Sequence, residues 1–302
     1  MSFDYIICGA GAAGCVLAYR LSANPALKVC LIEAGPRDRH PLIAMPKGLA
    51  KVMQDPRHLW VHASEPEEST AGQTEHWVRG RVLGGSSAVN GMMYVRGQPA
   101  DFDGIAEKSS EDWSWEHIGA AYRALEQHEL GAAPTRGDSG PMRISMPTQR
   151  LPVSDAQIAA GAAMGWTVKS DVNAPDDAVS IGYAPRTIWK GKRQSAAEAF
   201  LRPAENRPNL TILTDSTVDR VVFDGLRAVG VEIIRGGQRE TVEAGHEVVL
   251  GGGAMASPGI LERSGIGERE RLAALGIETA HHKPEGGEGL IEHRGIIMQW
   301  KL

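Results

Sequence analysis

Glycines at Gly9, Gly11 and Gly14, with an acid at Glu33, have the types and spacing needed to hold a dinucleotide. In a GxGxxG turn the first glycine permits the tight bend and the second lets backbone N–H groups approach a pyrophosphate. The third lets a helix lie close on its sheet. A carboxylate at Glu33 would accept bonds from ribose hydroxyls and repel a 2′-phosphate, which disfavours NADP. A second donor-rich tract begins at Gly84 and Gly85 and continues through Ser86 and Ser87. Successive backbone N–H groups and hydroxyls of this kind suit a phosphate or an electron-rich ring edge. Asn90 adds an amide that can donate and accept. A nicotinamide enzyme needs one such cradle, whereas a large cofactor spanning a domain uses several.

The elements that must position these residues are legible around them. Tyr5 to Cys8 is a short apolar run that reads as a buried strand, and Ala12 to Leu21 has helical apolar spacing without a breaker. Val29 to Ile32 reads as a second strand ending at Glu33, so the chain opens with a βαβ unit. The fold class expected is α/β: a Rossmann-like nucleotide-binding domain with an inserted antiparallel meander, plus part of a second domain. Gly35 to Pro56 reads as connecting loop, Asp101 to Leu130 as helix, and Asp155 to Met164 as a helix ending near Gly165. From Leu210 to Leu250 apolar residues alternate with polar ones, with turns at Asp224-Gly225 and Gly236-Gly237, which predicts a small antiparallel meander. A buried strand at Val248 to Leu250 then meets a glycine turn. There Ser257 is the expected N-cap, Pro258 the first helical residue and Gly265 the helix stop.

Composition excludes several partners. The chain has 302 residues and a formal charge of −5, with no block of consecutive Lys or Arg, which argues against nucleic acid and anionic membrane surfaces. Its apolar runs are far too short to span a bilayer, and it opens on a strand in place of a signal peptide, so the expected location is cytoplasmic. Cys8, Cys15 and Cys30 are odd in number and lie on or beside core elements, so they read as buried small hydrophobes without a disulfide. The stretch Gly137 to Pro141, GDSGP, has the letters of a protease nucleophile loop but reads as a turn, because the all-β, disulfide-bearing setting of that chemistry is absent. His58 and His62 are four apart, yet no HExxH glutamate or third ligand accompanies them. They read as exposed loop residues, and no metal is expected.

Three longer stretches carry a resemblance. RVLGGSSAVNGMMYVRG at 81–97 resembles the first signature of the glucose-methanol-choline (GMC) flavoprotein oxidoreductases, GGAMASPGILERSGIG at 252–267 resembles their second, and GKRQSAAEAFLRPAENRPNLTIL at 191–213 is similar to another of their segments. The resemblance implies FAD, with Gly9, Gly11, Ala12, Ala13 and Gly14 on its pyrophosphate and Glu33, beside Ala34, on the adenosine ribose. By the same likeness Arg81, Val82, Gly84, Gly85, Asn90, Gly91, Met92 and Met93 would lie along the cofactor toward its ring. Val218 would meet the adenine through its backbone. Trp60 and Ser257 would also lie near the cofactor. Some relatives tether the flavin through a histidine in the GGSS tract. Val89 stands at that place here, which implies non-covalent FAD.

The implied activity is oxidation of an alcohol CH–OH by hydride transfer to the flavin, giving an aldehyde or ketone, with oxygen or a quinone or dye as electron acceptor. Hydroxynitrile lyase chemistry on the same flavin fold, or an inactive FAD-binding remnant, are the alternatives. The implied domains are 1–100 and 191–290 for FAD binding, 101–190 for part of a substrate domain, and 291–302 for the start of its sheet. The family's catalytic histidine falls beyond Leu302, so no catalytic residue is assigned and the chain reads as an N-terminal portion. Near its end Glu285, Gly286, Gly289 and Glu292 depart from the family pattern, and His293 reads as a cofactor support.

Overall fold

β1 (Ser2–Cys8) and β2 (Val29–Ile32) are joined by α1 (Ala12–Leu21) in the computed structural model of the chain, which describes residues 2–175 and 178–291. Glu292, His293 and the expected final strand lie outside the described residues, apart from Ile291. The opening unit is therefore the βαβ that periodicity predicted. Along β1, Ile7 points to one buried cluster while Ile6 and Cys8 point to the other, as a strand covered on both faces requires.

The central sheet has six strands. Besides β1 and β2, it contains β5 (Leu210–Leu213), β6 (Ser216–Asp224), β7 (Arg227–Arg235) and β8 (Gln238–Leu250). The hairpin strands β3 (Leu59–Ala63) and β4 (His76–Gly80) pair with each other outside it. The strand order is β5-β2-β1-β8-β7-β6, with β5, β2, β1 and β8 parallel and β8, β7 and β6 antiparallel. Cys8 is in register with Ile32 and with Leu250, and Ile32 with Leu213. The four parallel strands thus end in one row, and the loops that follow them open on the same edge.

Two expectations about this sheet are corrected. Leu210 to Leu213 is not part of the meander but a parallel edge strand beside β2. The meander proper begins at Ser216, after Asp215 turns the chain with φ 51°. Alternation reports which face of a strand is buried, not which neighbour it pairs with. Moreover, Gln238 to Leu250 is one strand and not two: its first half pairs with β7 and its second half with β1.

Elsewhere the helical reading of 101–130 divides into α2 (Pro99–Ala106) and α3 (Trp115–Leu125). The break is stabilised locally, since the Ser110 hydroxyl accepts from the Asp112 N–H and the Asp103 carboxylate accepts from the Trp115 N–H at 2.9 Å. α4 runs over Pro152–Ala163 as expected, within three residues. α5 (Gly253–Arg263) starts earlier than predicted. Ser257 and Pro258 lie inside it, because the chain already turns at Gly253, where φ is 83°. Gly265, at φ 84°, ends it as read.

All three cysteines are free and buried, and burial pushes each thiol up to about 12, so none is a reactive thiolate. GDSGP is a turn wrapped on Glu126, whose Oε1 accepts from the Gly137 N–H and whose carbonyl accepts from the Gly140 N–H, both at 2.8 Å. His58 departs from the exposed-loop reading: it is 6 % exposed, with Nδ1 3.1 Å from the Asp55 carboxylate. His62 sits on β3, stacked on Trp60. Among the described residues no group of three His, Cys, Asp or Glu could hold a metal, and no helix is long and apolar enough to cross a membrane.

Candidate cofactor-binding site

Where the four parallel strands end, the chain must turn in little space, and glycine is what allows it. Gly9 follows β1 at φ 107°, and a Cβ there would come within 2.4 Å of the Gly251 carbonyl oxygen in the loop after β8. A Cβ on Gly14 would sit 1.9 Å from the Gly9 carbonyl oxygen, so this glycine seats α1 against the turn. Gly85 lies against Gly11, with 2.7 Å between a Cβ built there and the Gly11 Cα, and the Gly84 N–H donates to the Ala10 carbonyl at 2.8 Å. The two glycine tracts, more than 70 residues apart in sequence, are one structure.

Gly11 differs from its neighbours. It is the N-cap of α1, and among the described residues no side chain caps the helix and a Cβ added to it meets no atom beyond its own chain neighbours within 4 Å. The space in front of it is a cleft of about 900 Å³. α5 opens on the same cleft with Gly252 as an N-cap that likewise lacks a side-chain partner. Two helix N-termini with uncapped N–H groups converge on one cavity, an arrangement that favours an anion such as pyrophosphate.

Glu33 supplies the acceptor. It is 6 % exposed and lines the cleft, with Oε2 accepting from the Ala10 N–H and Oε1 from the Gly35 N–H, each at 2.9 Å. Burial raises its pKa, while those two N–H groups and the Arg81 charge pull it back. Each carboxylate oxygen keeps a further lone pair, which fits two vicinal hydroxyls. The β3–β4 hairpin also lines the cleft. There Trp60, 38 % exposed, stacks on His62 at 6.4 Å, and the Arg81 guanidinium lies 5.0 Å from the Trp60 ring centre.

Of the residues expected near a cofactor, Gly9, Gly11, Ala12 and Ala13 line the cleft from β1 and α1, and Glu33 and Ala34 line it from the end of β2. Trp60, Gly85, Val218 and Ser257 line it from four other segments. Gly14 lies beneath Gly9, Val82 is wholly buried, and Gly84 is held against Ala10. Arg81 lies over the Trp60 ring, and among the described residues its buried Nε has no hydrogen-bond partner. Asn90, Gly91 and Met93 are exposed beyond the lining, and Met92 is buried at φ 60°.

Sequence reasoning did not place Ser216 and Thr217 at the cleft, and of the run from Gly251 to Ile260, which lines it and falls mostly in the 252–267 signature, it placed only Ser257. A signal for the second of these existed. Val248 to Gly253 repeats the order of the opening motif, a buried strand running into glycines and then a helix.

The residues present fit a flavin dinucleotide: the cavity holds about 900 Å³, the space a Cβ would fill at Gly11 is open, and the buried Glu33 carboxylate lines it. Comparison with known proteins gives the same direction. The sequence pattern of the GMC oxidoreductases matches residues 3–293. The chain is 40 % identical over 304 residues to mitochondrial choline dehydrogenase of Homo sapiens, covering 98 % of this chain and 51 % of that protein. It is also 40 % identical over 305 residues to an oxygen-dependent choline dehydrogenase of Pseudomonas putida, covering 99 % and 54 %. Among solved structures, pyridoxine 4-oxidase from Mesorbium loti superposes with a TM-score of 0.89 at 35 % identity, over 94 % of this chain and 56 % of that one. An FAD-dependent oxidoreductase from Chaetomium thermophilum superposes with a TM-score of 0.87 at 30 % identity, over 93 % and 51 %. The chain thus spans about half the length of the relatives it matches. With the motifs, the strand order and the glycine-lined cleft in agreement with that match, the chain belongs to the GMC oxidoreductase family.

Proposed function

We propose that this chain is the FAD-binding part of an enzyme that oxidises the CH–OH group of a small alcohol to an aldehyde or ketone. The observation that carries the reading is the cleft at the ends of the parallel strands, where uncapped N–H groups of two helices and the Glu33 carboxylate face one cavity. Glu33 would hold the ribose hydroxyls, the first turns of α1 and α5 would hold the pyrophosphate, and Val218 would border the adenine. Bound FAD supplies the hydride acceptor that no side chain can provide. The FAD would be held without a covalent bond, since Val89 is an apolar side chain 6 % exposed and offers no nucleophile. Oxygen or a quinone or dye would reoxidise it.

The proton on the substrate hydroxyl needs a base, and we place that role in the part of the relatives that this chain does not span. A second reading follows from that same coverage: this chain alone binds FAD without turning over an alcohol.

The test has two arms. The purified chain is mixed with excess FAD, desalted and scanned. Retained flavin bands are expected, and a folded but colourless protein would overturn the cofactor assignment. A form extended to the length of the relatives is then given an anaerobic panel including choline, pyridoxine and aryl alcohols, where loss of flavin absorbance is expected. No bleaching with any of them would sink the alcohol-oxidising reading while leaving FAD binding intact.

A further inference from the structure

His128 is a buried imidazole that takes no part in the cleft. It is 4 % exposed and ends the short strand Glu126–His128, in register with Ile144 of the strand Met142–Ile144. Its Nδ1 accepts from the Leu130 N–H at 3.1 Å. A ring nitrogen that accepts carries no proton, so the neutral ring holds its proton on Nε2, and that buried atom has no hydrogen-bond partner among the described residues. The fold therefore accommodates this ring in one state: neutral, and as one tautomer.

Four charges act on it. Glu126 lies on its own strand, Arg96 comes from the loop before α2, Arg136 from the loop that follows the strand, and Asp171 from a third segment. Both anions are already engaged: Glu126 pairs with Arg96, and Asp171 pairs with Arg136 at 3.0 Å. An imidazolium would enter a buried cluster whose carboxylates are each matched by an arginine. Burial, with the two arginine charges added to it, outweighs the pull of the two carboxylates and holds His128 below the usual imidazole value.

What the neutral ring fastens is the loop 129–137. The Gly131 N–H donates to the His128 carbonyl at 3.0 Å, and the His128 N–H donates to the Gly137 carbonyl at 3.0 Å, so both ends of the loop meet at this residue. Arg136 closes it from within: Nε donates to the Gly131 carbonyl at 2.7 Å and Nη2 to the Leu130 carbonyl at 3.3 Å. A proton added at Nδ1 takes the acceptor away from the Leu130 N–H. It also sets a positive ring against the arginine that clasps the same loop.

We propose that His128 is an acid-released latch: as a neutral acceptor it fastens the loop 129–137 at Leu130, and on protonation it lets that loop open. The inference is independent of the cofactor reading. Its sign follows from linkage. In the unfolded or opened loop the imidazole titrates near 6.5, while the closed loop refuses the proton until lower pH, so the closed form has its full stability above about pH 6.5 and loses it as the pH falls below that value.

The test is amide hydrogen exchange on the purified chain at pH 7.5 and 5.5, corrected for the intrinsic effect of pH on exchange, together with an NMR titration of the histidine rings. Protection of Leu130 and Gly131 is expected to fall about fivefold or more at the lower pH, while amides of β1 and β2 keep theirs. His128 is expected to titrate below 6.5 with a midpoint that matches the loop's loss of protection. His128→Gln offers Leu130 an amide oxygen that does not titrate in this range, so in that variant the pH dependence at Leu130 and Gly131 should disappear while the other histidines still titrate. Equal pH dependence in His128→Gln, loop protection that does not change with pH in the unchanged chain, or a His128 midpoint at or above 6.5 would each overturn the proposal. The titration needs no variant, so it decides the matter even where His128→Gln fails to fold.

Discussion

Gly11 and Gly14 belong to one motif and one helical turn, yet the structure gives them opposite tasks. Gly11 faces open space, and its backbone at φ −72° is one any residue adopts. Gly11→Val should therefore leave the fold nearly untouched while placing two methyl groups in the cleft. FAD affinity should drop about tenfold or more, equal to about 1.4 kcal/mol, with the melting temperature of the cofactor-free chain preserved. Gly14→Ala should do the reverse, since its Cβ would meet the Gly9 carbonyl at 1.9 Å. A destabilisation of about 1–3 kcal/mol in urea unfolding is expected from that overlap. Equal melting losses in both variants would mean that the two glycines share a purely structural role. Sequence spacing marked both residues as important. Only the neighbouring atoms distinguish the one whose added Cβ would enter the cleft from the one that seats the helix.

Elements outside the nucleotide-binding sheet are joined by buried polar contacts that no periodicity reveals. Arg96, in the loop before α2, forms an ion pair with Glu126, directly after α3, with side-chain exposures of 3 % and 0 %. The guanidinium also donates to the Thr135 carbonyl at 2.8 Å, and Glu126 accepts from the Gly137 N–H. Glu126→Ala would strand a buried cation and is expected to cost about 3–5 kcal/mol in chemical denaturation. The double variant Arg96→Met/Glu126→Leu should cost clearly less, because no charge is left uncompensated. A double variant as unstable as the single one would show that the charges themselves are not what matters. This pairing was illegible in the sequence because Arg96 and Glu126 are 30 residues apart and belong to no shared pattern. The start of α5 was misread for a related reason. Ser257-Pro258 is a good local start signal, but the glycine turn at Gly253 had already set the chain into helix.

At the scale of the molecule, a cofactor bound in the cleft would be a structural component as well as a reagent. The cleft gathers the ends of β1, β2 and β8, the start of β6 and the β3–β4 hairpin, so a ligand that fills it ties distant segments together. FAD at about 100 times its dissociation constant should add about 2.7 kcal/mol to stability and raise the melting temperature by several degrees. NADP at the same concentration should add nothing, since Glu33 opposes a 2′-phosphate. A shift of equal size with both nucleotides would overturn the role given to Glu33.

The opening βαβ unit, the acid at its end, the glycine tracts and the family were all readable from the residues. Each is written in a short run whose period, breakers and motif letters are local properties of the chain. The parallel placement of Leu210–Leu213 beside β2, the single long β8 and the joining of Gly9, Gly85 and Gly251 around one cleft were not readable. The burial pattern along a strand records which face meets the core but not which neighbour it pairs with. A cavity is defined by segments that meet only after the chain has folded.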